Sequence, residues 1–295
     1  MKITLTGSLG NINQYLIPQL VTAGHQVTVI SQQPERAAAM TALGATAAIG
    51  SVKDRVFLQQ AFTGADIVYT MIPPDYAARD LRAYIRATGE NYAAAIAQAG
   101  VKYVVNLSAV GAHDAAGAGP AGASHDVEAM LNTLADTHTL HLRPGMFYSN
   151  FYGAIPLIKY QQLLGNNFSG DVEMALTHPA DIAAAAAKAM NRLFTGKQVQ
   201  YVVSDVKTGD ELASILGAAI AMPHLSWTAF SDEALLASLQ QNGFSEEMAM
   251  VYMIEIGIAL RNNTLLSHFR QYREQAYGEI RFSAFAEEFA KTYMA

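Results

Sequence analysis

Ile3-Thr4-Leu5-Thr6-Gly7-Ser8-Leu9-Gly10-Asn11-Ile12-Asn13 is the stretch on which the fold of this chain turns. Ile3–Thr6 is a short apolar strand that stops at Gly7, and a helical pattern runs from Gln14 to Ala23, where Gly24 closes it. A glycine turn between a strand and a helix N-terminus offers backbone N–H groups to an anion, a diphosphate above all. Gly7 permits the tight turn, and Gly10 lets the backbone approach phosphates with no Cβ in the way. The spacing is G-x-x-G-x-x-N. Asn13 stands where the three-glycine form has the glycine that lets helix and strand pack closely. Alone this pattern is weak, and a structural turn with no ligand is its plain alternative. Pro18 inside the helix removes one N–H and favours a kink.

The surroundings decide in favour of the turn. Strands are read at Val27–Ile30, Ala45–Ile49, Ile67–Ile72, Val101–Ser108 and Thr139–Arg143. Helical patterns lie between them at Pro34–Leu43, Lys53–Phe62, Asp75–Gln98 (with a break foreseen near Gly89) and Ser124–Ala135. Strands alternating with helices imply parallel βαβ units. The expectation is an α/β doubly wound parallel sheet of Rossmann type over residues 1–150. A smaller, mainly helical substrate-covering region follows over residues 151–295, with parts returning to the core. There the helical patterns are Ala180–Leu193, Asp210–Ala221, Asp232–Gln241, Ser245–Leu260 and Ala284–Lys291. Val199–Val203 reads as a strand and His224–Phe230 as an extended piece. Thr208 and Glu211 have capping-box spacing. Ligands of such a sheet sit where strands end.

Bulk properties narrow the choice. The 295 residues are 51% hydrophobic and 15% charged, so a sizeable core is expected. A net charge of −6 argues against a nucleic-acid partner, which needs a basic face. No stretch is apolar enough to span a membrane. The absence of cysteine removes disulfides, thiol nucleophiles and zinc-thiolate sites. The chain opens on a strand rather than a secretory signal, and a cytoplasmic location is the expectation.

At the end of the second strand an acidic residue would read the ribose 2′-hydroxyl of NAD, and an Arg would accommodate the 2′-phosphate of NADP. Here Ile30 is followed by Ser31-Gln32-Gln33-Pro34-Glu35-Arg36. Ser31 and Gln32 are neutral. Arg36 is the nearest cation, but it falls on the following helix, where it can simply face solvent. The missing acid favours NADP, with NAD left open.

At this point a resemblance is readable. Thr6-Gly7-Ser8-Leu9-Gly10-Asn11-Ile12, Ala65-Asp66-Ile67-Val68-Tyr69, Ala99-Gly100-Val101-Lys102-Tyr103-Val104-Val105-Asn106-Leu107-Ser108-Ala109, and His125-Asp126-Val127-Glu128 with Leu142-Arg143-Pro144-Gly145-Met146-Phe147 and Asn150 resemble motifs of the NmrA-like branch of the atypical short-chain dehydrogenases. The resemblance implies that Gly7, Leu9, Gly10, Asn11 and Ile12 hold the diphosphate of NADP or NAD, and that Ser31 and Gln32 face the adenine ribose. It also implies that Met71, Ile72 and Pro73 lie along the adenosine half, that Ser108 and Ala109 flank the nicotinamide ribose, and that Pro144, Gly145, Met146 and Phe147 form the loop near the nicotinamide. Such proteins include reductases of quinones and cofactor-sensing regulators.

Ordinary short-chain dehydrogenases carry Tyr-x-x-x-Lys, whose spacing puts phenol and ammonium on one helix face. None of the 14 tyrosines here has Lys four residues later. His125, on the helix that should carry the pair, is the candidate proton donor, with a hydrogen-bonding or cofactor-contact role as the alternative. Glu128 reads as a partner of the loop after the sixth strand. The remaining histidines show no metal-ligand spacing, and no metal is expected. Asp181 reads as a helix N-terminal cap or charge. Met248–Gly257 reads as a core helix, with a lid over an apolar acceptor or a partner surface as alternatives. Gly111–Gly122 reads as a mobile loop. Two functions remain: an NAD(P)H-dependent reductase of a small apolar acceptor such as a quinone, or a non-catalytic NAD(P)-sensing regulator with a protein partner. A homodimer is compatible with either. A sugar-nucleotide epimerase ranks third, since it needs the missing tyrosine chemistry.

Overall fold

The computed structural model describes residues 1–275 and 278–295. Its first half alternates β1 (Lys2–Leu5), α1 (Asn13–Thr22), β2 (Gln26–Ser31), α2 (Ala37–Ala42), β3 (Thr46–Ile49), α3 (Arg55–Phe62), β4 (Ile67–Thr70), α4 (Leu81–Ala99), β5 (Tyr103–Leu107), α5 (Pro120–Asn132) and β6 (His138–Pro144). All six expected strands form. The second half adds β7 (Met146–Phe147), α6 (Ile155–Gln161), β8 (Leu163–Asn166), β9 (Glu173–Thr177), α7 (Pro179–Arg192), β10 (Lys197–Val202), β11 (Asp205–Thr208), α8 (Gly209–Ala219) and β12 (Ser226–Ala229). It ends with α9 (Asp232–Gln241), α10 (Glu246–Ala249), α11 (Glu255–Arg261) and α12 (Phe282–Met294).

The main sheet has the order β10-β6-β5-β4-β1-β2-β3, with every pairing parallel. Strand order reverses at β1, so the crevice between the ends of β1 and β4 is the switch point. Ile3, Leu5, Val29, Ile67, Tyr69 and Val105 are buried within it. Such near-continuous apolar strands are what a sheet covered on both faces requires. α1 runs through Pro18 without interruption. The break foreseen near Gly89 does not occur. Gly89 lies inside α4, where a Cβ would stand 2.6 Å from Val127 of α5, so it is there to let the two helices pack closely. α4 itself starts at Leu81, capped by Asp80, six residues later than the sequence suggests.

Two small sheets, β11-β9-β7 and β12-β8, escape the sequence reading except at the extended piece that becomes β12. They shape the region that packs beside the ends of the main strands. α8 carries the expected capping box, Thr208 and Glu211 bonding each other's backbone N–H. The single helix foreseen at Ser245–Leu260 is split: a π-helical turn, Met250–Ile254, separates α10 from α11. The Ile254 carbonyl is taken by Asn167 Nδ2 at 3.0 Å. Gly257 makes room, since any Cβ there would strike the Asn167 amide. Met248 and Val251 are buried in the cluster that contains Leu81 and Ile85. No helix among the described residues is long and apolar enough to cross a membrane.

Candidate functional site

Thr6 laces the ends of β1 and β4 together: its Oγ1 accepts from Met71 N at 2.7 Å and donates to Met71 O at 3.0 Å. Gly7 follows with φ +94°, a conformation that side chains rarely adopt, and a Cβ there would lie 2.7 Å from the Met71 thioether. Asn13 then holds the turn. Its Nδ2 donates to Thr6 O and to Ser8 O, both at 2.8 Å. The residue that breaks the three-glycine pattern is thus a side-chain staple across the turn. Among the described residues, the amides of Leu9, Asn11 and Ile12 have no acceptor in the protein, and they lead directly into α1. Unpaired amides at a helix N-terminus are a cradle for an anion. A dinucleotide diphosphate fits these groups.

At the end of β2 a cation comes closer to the glycine turn than the sequence implies. Ser31 is buried at the end of β2, and its Oγ accepts from Ser8 Oγ at 2.9 Å and from Gln33 N at 3.1 Å. Gln32 is exposed and donates to Ser51 Oγ at 3.2 Å. Arg36 closes a 3₁₀ turn, Pro34–Arg36, that runs without a break into α2, so the helical stretch starts at Pro34 as the sequence suggests. Arg36 does not simply face solvent: its Nη1 reaches to 3.5 Å from Ser8 Oγ.

At β4 the chain leaves through Met71, Ile72 and Pro73, all half-buried. Tyr92 Oη donates to Met71 O at 2.7 Å and Tyr84 Oη to Pro73 O at 2.8 Å. At β5 and β6 the Ser108 amide donates to Leu142 O at 2.8 Å and the Val110 amide to Pro144 O at 2.8 Å, so Ser108 and Ala109 run beside the Pro144 segment. Gly145 lies so close to β9 that a Cβ would sit 2.3 Å from Ala175 O. Met146 and Phe147 pair with Leu176 and Thr177. Asn11 Nδ2, 3.3 Å from Ser149 Oγ, brings the glycine turn to this same place.

Beneath lies a buried ion pair. Glu128 receives Ser108 Oγ at 2.5 Å, Arg143 Nε at 2.9 Å and Arg143 Nη2 at 2.6 Å. Both side chains are under one-tenth exposed. The second arm of this clamp is Arg143 on β6, which no local sequence signal singles out. α5 begins at Pro120, four residues before the expected start, so the loop after β5 is shorter than foreseen. That loop is tied at Gly119, whose N–H donates to Glu255 Oε2 at 2.9 Å and whose carbonyl accepts from Arg82 Nε at 3.1 Å.

His125 is half-buried, and its Nδ1 lies 3.1 Å from Ala112 O. A carbonyl only accepts, so Nδ1 carries hydrogen, and Nε2 of the neutral ring is a bare acceptor. His125 faces a groove of about 1010 Å³ along α5, β6 and β10, shared with His113, Arg143, Tyr201, His268 and Tyr272. Asp181 is the first-turn charge of α7 and not its cap. His178 caps α7 by accepting from Ala180 N at 3.1 Å, while Asp181 accepts from Ser204 Oγ and from the amides of Glu279 and Ile280. A polar line crosses the sheet: Thr70 Oγ1 to Asn106 Oδ1 (2.9 Å), Asn106 Nδ2 to His141 Nδ1 (3.1 Å), His141 Nε2 to Asn132 Oδ1 (3.0 Å). Burial pushes the His141 imidazole down to about 4. No cluster of metal ligands occurs among the described residues.

Comparison with known proteins places this geometry. Quinone oxidoreductase 2 of Escherichia coli K12 is 27% identical over 218 residues, covering 72% of this chain and 73% of that protein. The crystal structure of an E. coli NADPH-dependent quinone oxidoreductase with NADPH matches 97% of this chain and 99% of its own, with TM-score 0.82 and 20% identity. Triphenylmethane reductase of Citrobacter sp., complexed with NADP(H), matches 98% and 99%, with TM-score 0.82 and 20% identity. At such identities these structures establish the fold. The family model described as the NmrA-like family matches residues 1–257, and this chain belongs to that family.

Proposed function

We propose that this chain is a reductase that draws on NADPH, ahead of NADH, and acts on a small apolar acceptor of the quinone type. The observation that carries the reading is the arrangement at the switch point, where three unpaired amides precede α1 and the Ser8 hydroxyl, bonded to Ser31, meets the Arg36 guanidinium. The E. coli and Citrobacter relatives support it, being NADPH- or NADP(H)-binding oxidoreductases by description.

When bound, the nicotinamide supplies the hydride. The amides of Leu9, Asn11 and Ile12, with Gly7 and Gly10 leaving space, hold the diphosphate, and Arg36 with Ser31 and Gln32 meets the 2′-phosphate. Met71, Ile72 and Pro73 line the adenosine half. Ser108 and Ala109, with Pro144, Met146 and Phe147, bound the reacting end and exclude water there. His125 is the proton source. With Nδ1 committed to Ala112, it gives a proton from Nε2 only as imidazolium, so turnover depends on that ring's charge.

The test is steady-state oxidation of NADPH and NADH against a panel of quinones. Acceptor-dependent consumption, faster with NADPH, is the expected result. Tight dinucleotide binding without turnover on any acceptor overturns the reading in favour of an NADP-sensing protein, which the missing Tyr-x-x-x-Lys pair favours.

A further inference from the structure

The groove along α5 has a wall of rings. His113 and His268 stack at 5.1 Å and 18°, His268 and Tyr272 at 4.8 Å and 27°, and Tyr201 and Tyr272 at 5.9 Å and 30°. The protons on this wall are fixed by its partners. Ser267 Oγ spends its hydrogen on Thr264 O at 2.8 Å, so at 3.0 Å it accepts from His113 Nε2–H. His113 Nδ1 is therefore a bare lone pair, and it is buried with no partner among the described residues. Tyr201 Oη accepts from Arg143 Nη1 at 3.4 Å and gives its own hydrogen to His268 Nδ1 at 2.7 Å, which leaves hydrogen on His268 Nε2. Burial, helped by the neighbouring Arg143, holds both His113 and His268 below the usual histidine range and so neutral.

Among the described residues the groove presents no free cation. Arg143 is spent on Glu128, Tyr201 and Ala112 O, and Glu274 stands on the lining as a negative charge. A phosphate or carboxylate finds nothing to neutralise it. Among the described residues the wall lacks a donor for the His113 Nδ1 lone pair, and the Tyr272 ring, stacked on His268 and Tyr201, is still 38% exposed. A buried acceptor left unpaired is unfavourable, and a ligand hydroxyl relieves it. The volume stands at the upper end of the roughly 300–1,000 Å³ range of small-molecule sites.

We propose that this groove is a binding site for an uncharged planar phenol, its hydroxyl given to His113 Nδ1 and its ring laid against Tyr272. The site is separate from the glycine turn and holds whether or not the chain turns over a dinucleotide.

The probes are 2-naphthol, its methyl ether and naphthalene-2-carboxylate, titrated into the full chain by calorimetry with and without NADP⁺. Naphthol is expected to bind, and the ether about five- to ten-fold more weakly for the lost hydrogen bond. The carboxylate should do no better than the ether. His113→Phe and Tyr272→Ala should each weaken naphthol several-fold and leave NADP⁺ affinity within about two-fold. Tyr272 is on the surface, so its variant reads the stack even where His113→Phe disturbs folding. Equal binding of naphthol and ether, tighter binding of the carboxylate, displacement by NADP⁺, or no effect of either variant overturns the proposal, as does absence of naphthol binding at millimolar concentration.

Discussion

At the glycine turn the groups on offer are main-chain amides within a few residues of one another, from Leu9 to Ile12. At the ends of β5 and β6 they are side chains, Ser108, Glu128 and Arg143, brought together from three elements. The first end is made by backbone conformation and needs residues that stay out of the way: Gly7 at φ +94° beside Met71, and Asn13 stapling the carbonyls. The second is made by charge buried away from water and needs every member of the set. Substitution should therefore damage them differently. The turn should lose ligand with little loss of fold, and the clamp should lose fold first.

Glu128→Ala is the sharpest way to break that contrast. It strands the Arg143 guanidinium at 7% exposure and removes the acceptor of Ser108 Oγ. Removing one partner of a buried ion pair costs about 3–5 kcal/mol. Urea unfolding should show that loss, whereas Ser108→Ala, which deletes one hydrogen bond, should cost about 1 kcal/mol. If Glu128→Ala unfolds no more readily than Ser108→Ala, the clamp is not what holds these strand ends.

The same contrast explains what was legible. Six strands and the switch point could be read because parallel strands are apolar runs and the glycine turn is local in sequence. Asn13 could be seen as a departure but not as a staple, since its acceptors are carbonyls whose directions only the folded turn sets. Arg36 could be placed at the start of a helical stretch, but its reach to Ser8 joins positions 28 apart, and no local spacing reports that contact. The Glu128–Arg143 pair joins positions 15 apart in sequence, and no local spacing reports such a contact. β8, β9 and β11 are short, and Gly165 sits inside β8, so their pattern is too brief to separate from loop. The π turn at Met250–Ile254 depends on Asn167, far upstream.

Between the two ends runs the line from Thr70 to Asn132, with His141 neutral at its centre. Here the clamp's logic extends to pH. In the unfolded chain His141 takes its proton near 6.5, and in the fold only at about 4. Below 6.5 the unfolded state binds the proton first, so stability falls as pH drops from 6.5 to about 4 and the contribution then levels off. The loss is roughly 3 kcal/mol. Glu211 and Asp232 have lowered carboxyl pKa values, the first through the Thr208 amide and the second through Arg261, and they matter only below about their ordinary range. His141→Gln keeps a donor and an acceptor and should reduce the slope of stability between pH 6.5 and 4.5, leaving the share that His113 and His268, also held below the usual range, contribute with the same sign. A variant as pH-sensitive as the parent places the titrating group elsewhere.

The smallest expected effect is the most specific to the turn. Arg36 contributes one charge, half-exposed, at 3.5 Å from Ser8 Oγ. Its removal breaks no buried pair, so Tm should stay within a degree or two. A guanidinium on a phosphate is a charge-assisted bond of about 1.5–3 kcal/mol, and partial exposure puts this one at the lower end. Arg36→Ala should thus weaken NADPH about ten-fold and NADH less than two-fold. Arg36→Lys, which keeps charge but loses the planar fork, should fall between. Equal weakening of both dinucleotides would mean that Arg36 only supports Ser8 and the turn. The discrimination would then rest on the Ser31 and Gln32 side chains, and the two ends of the site would be less unlike than their construction implies.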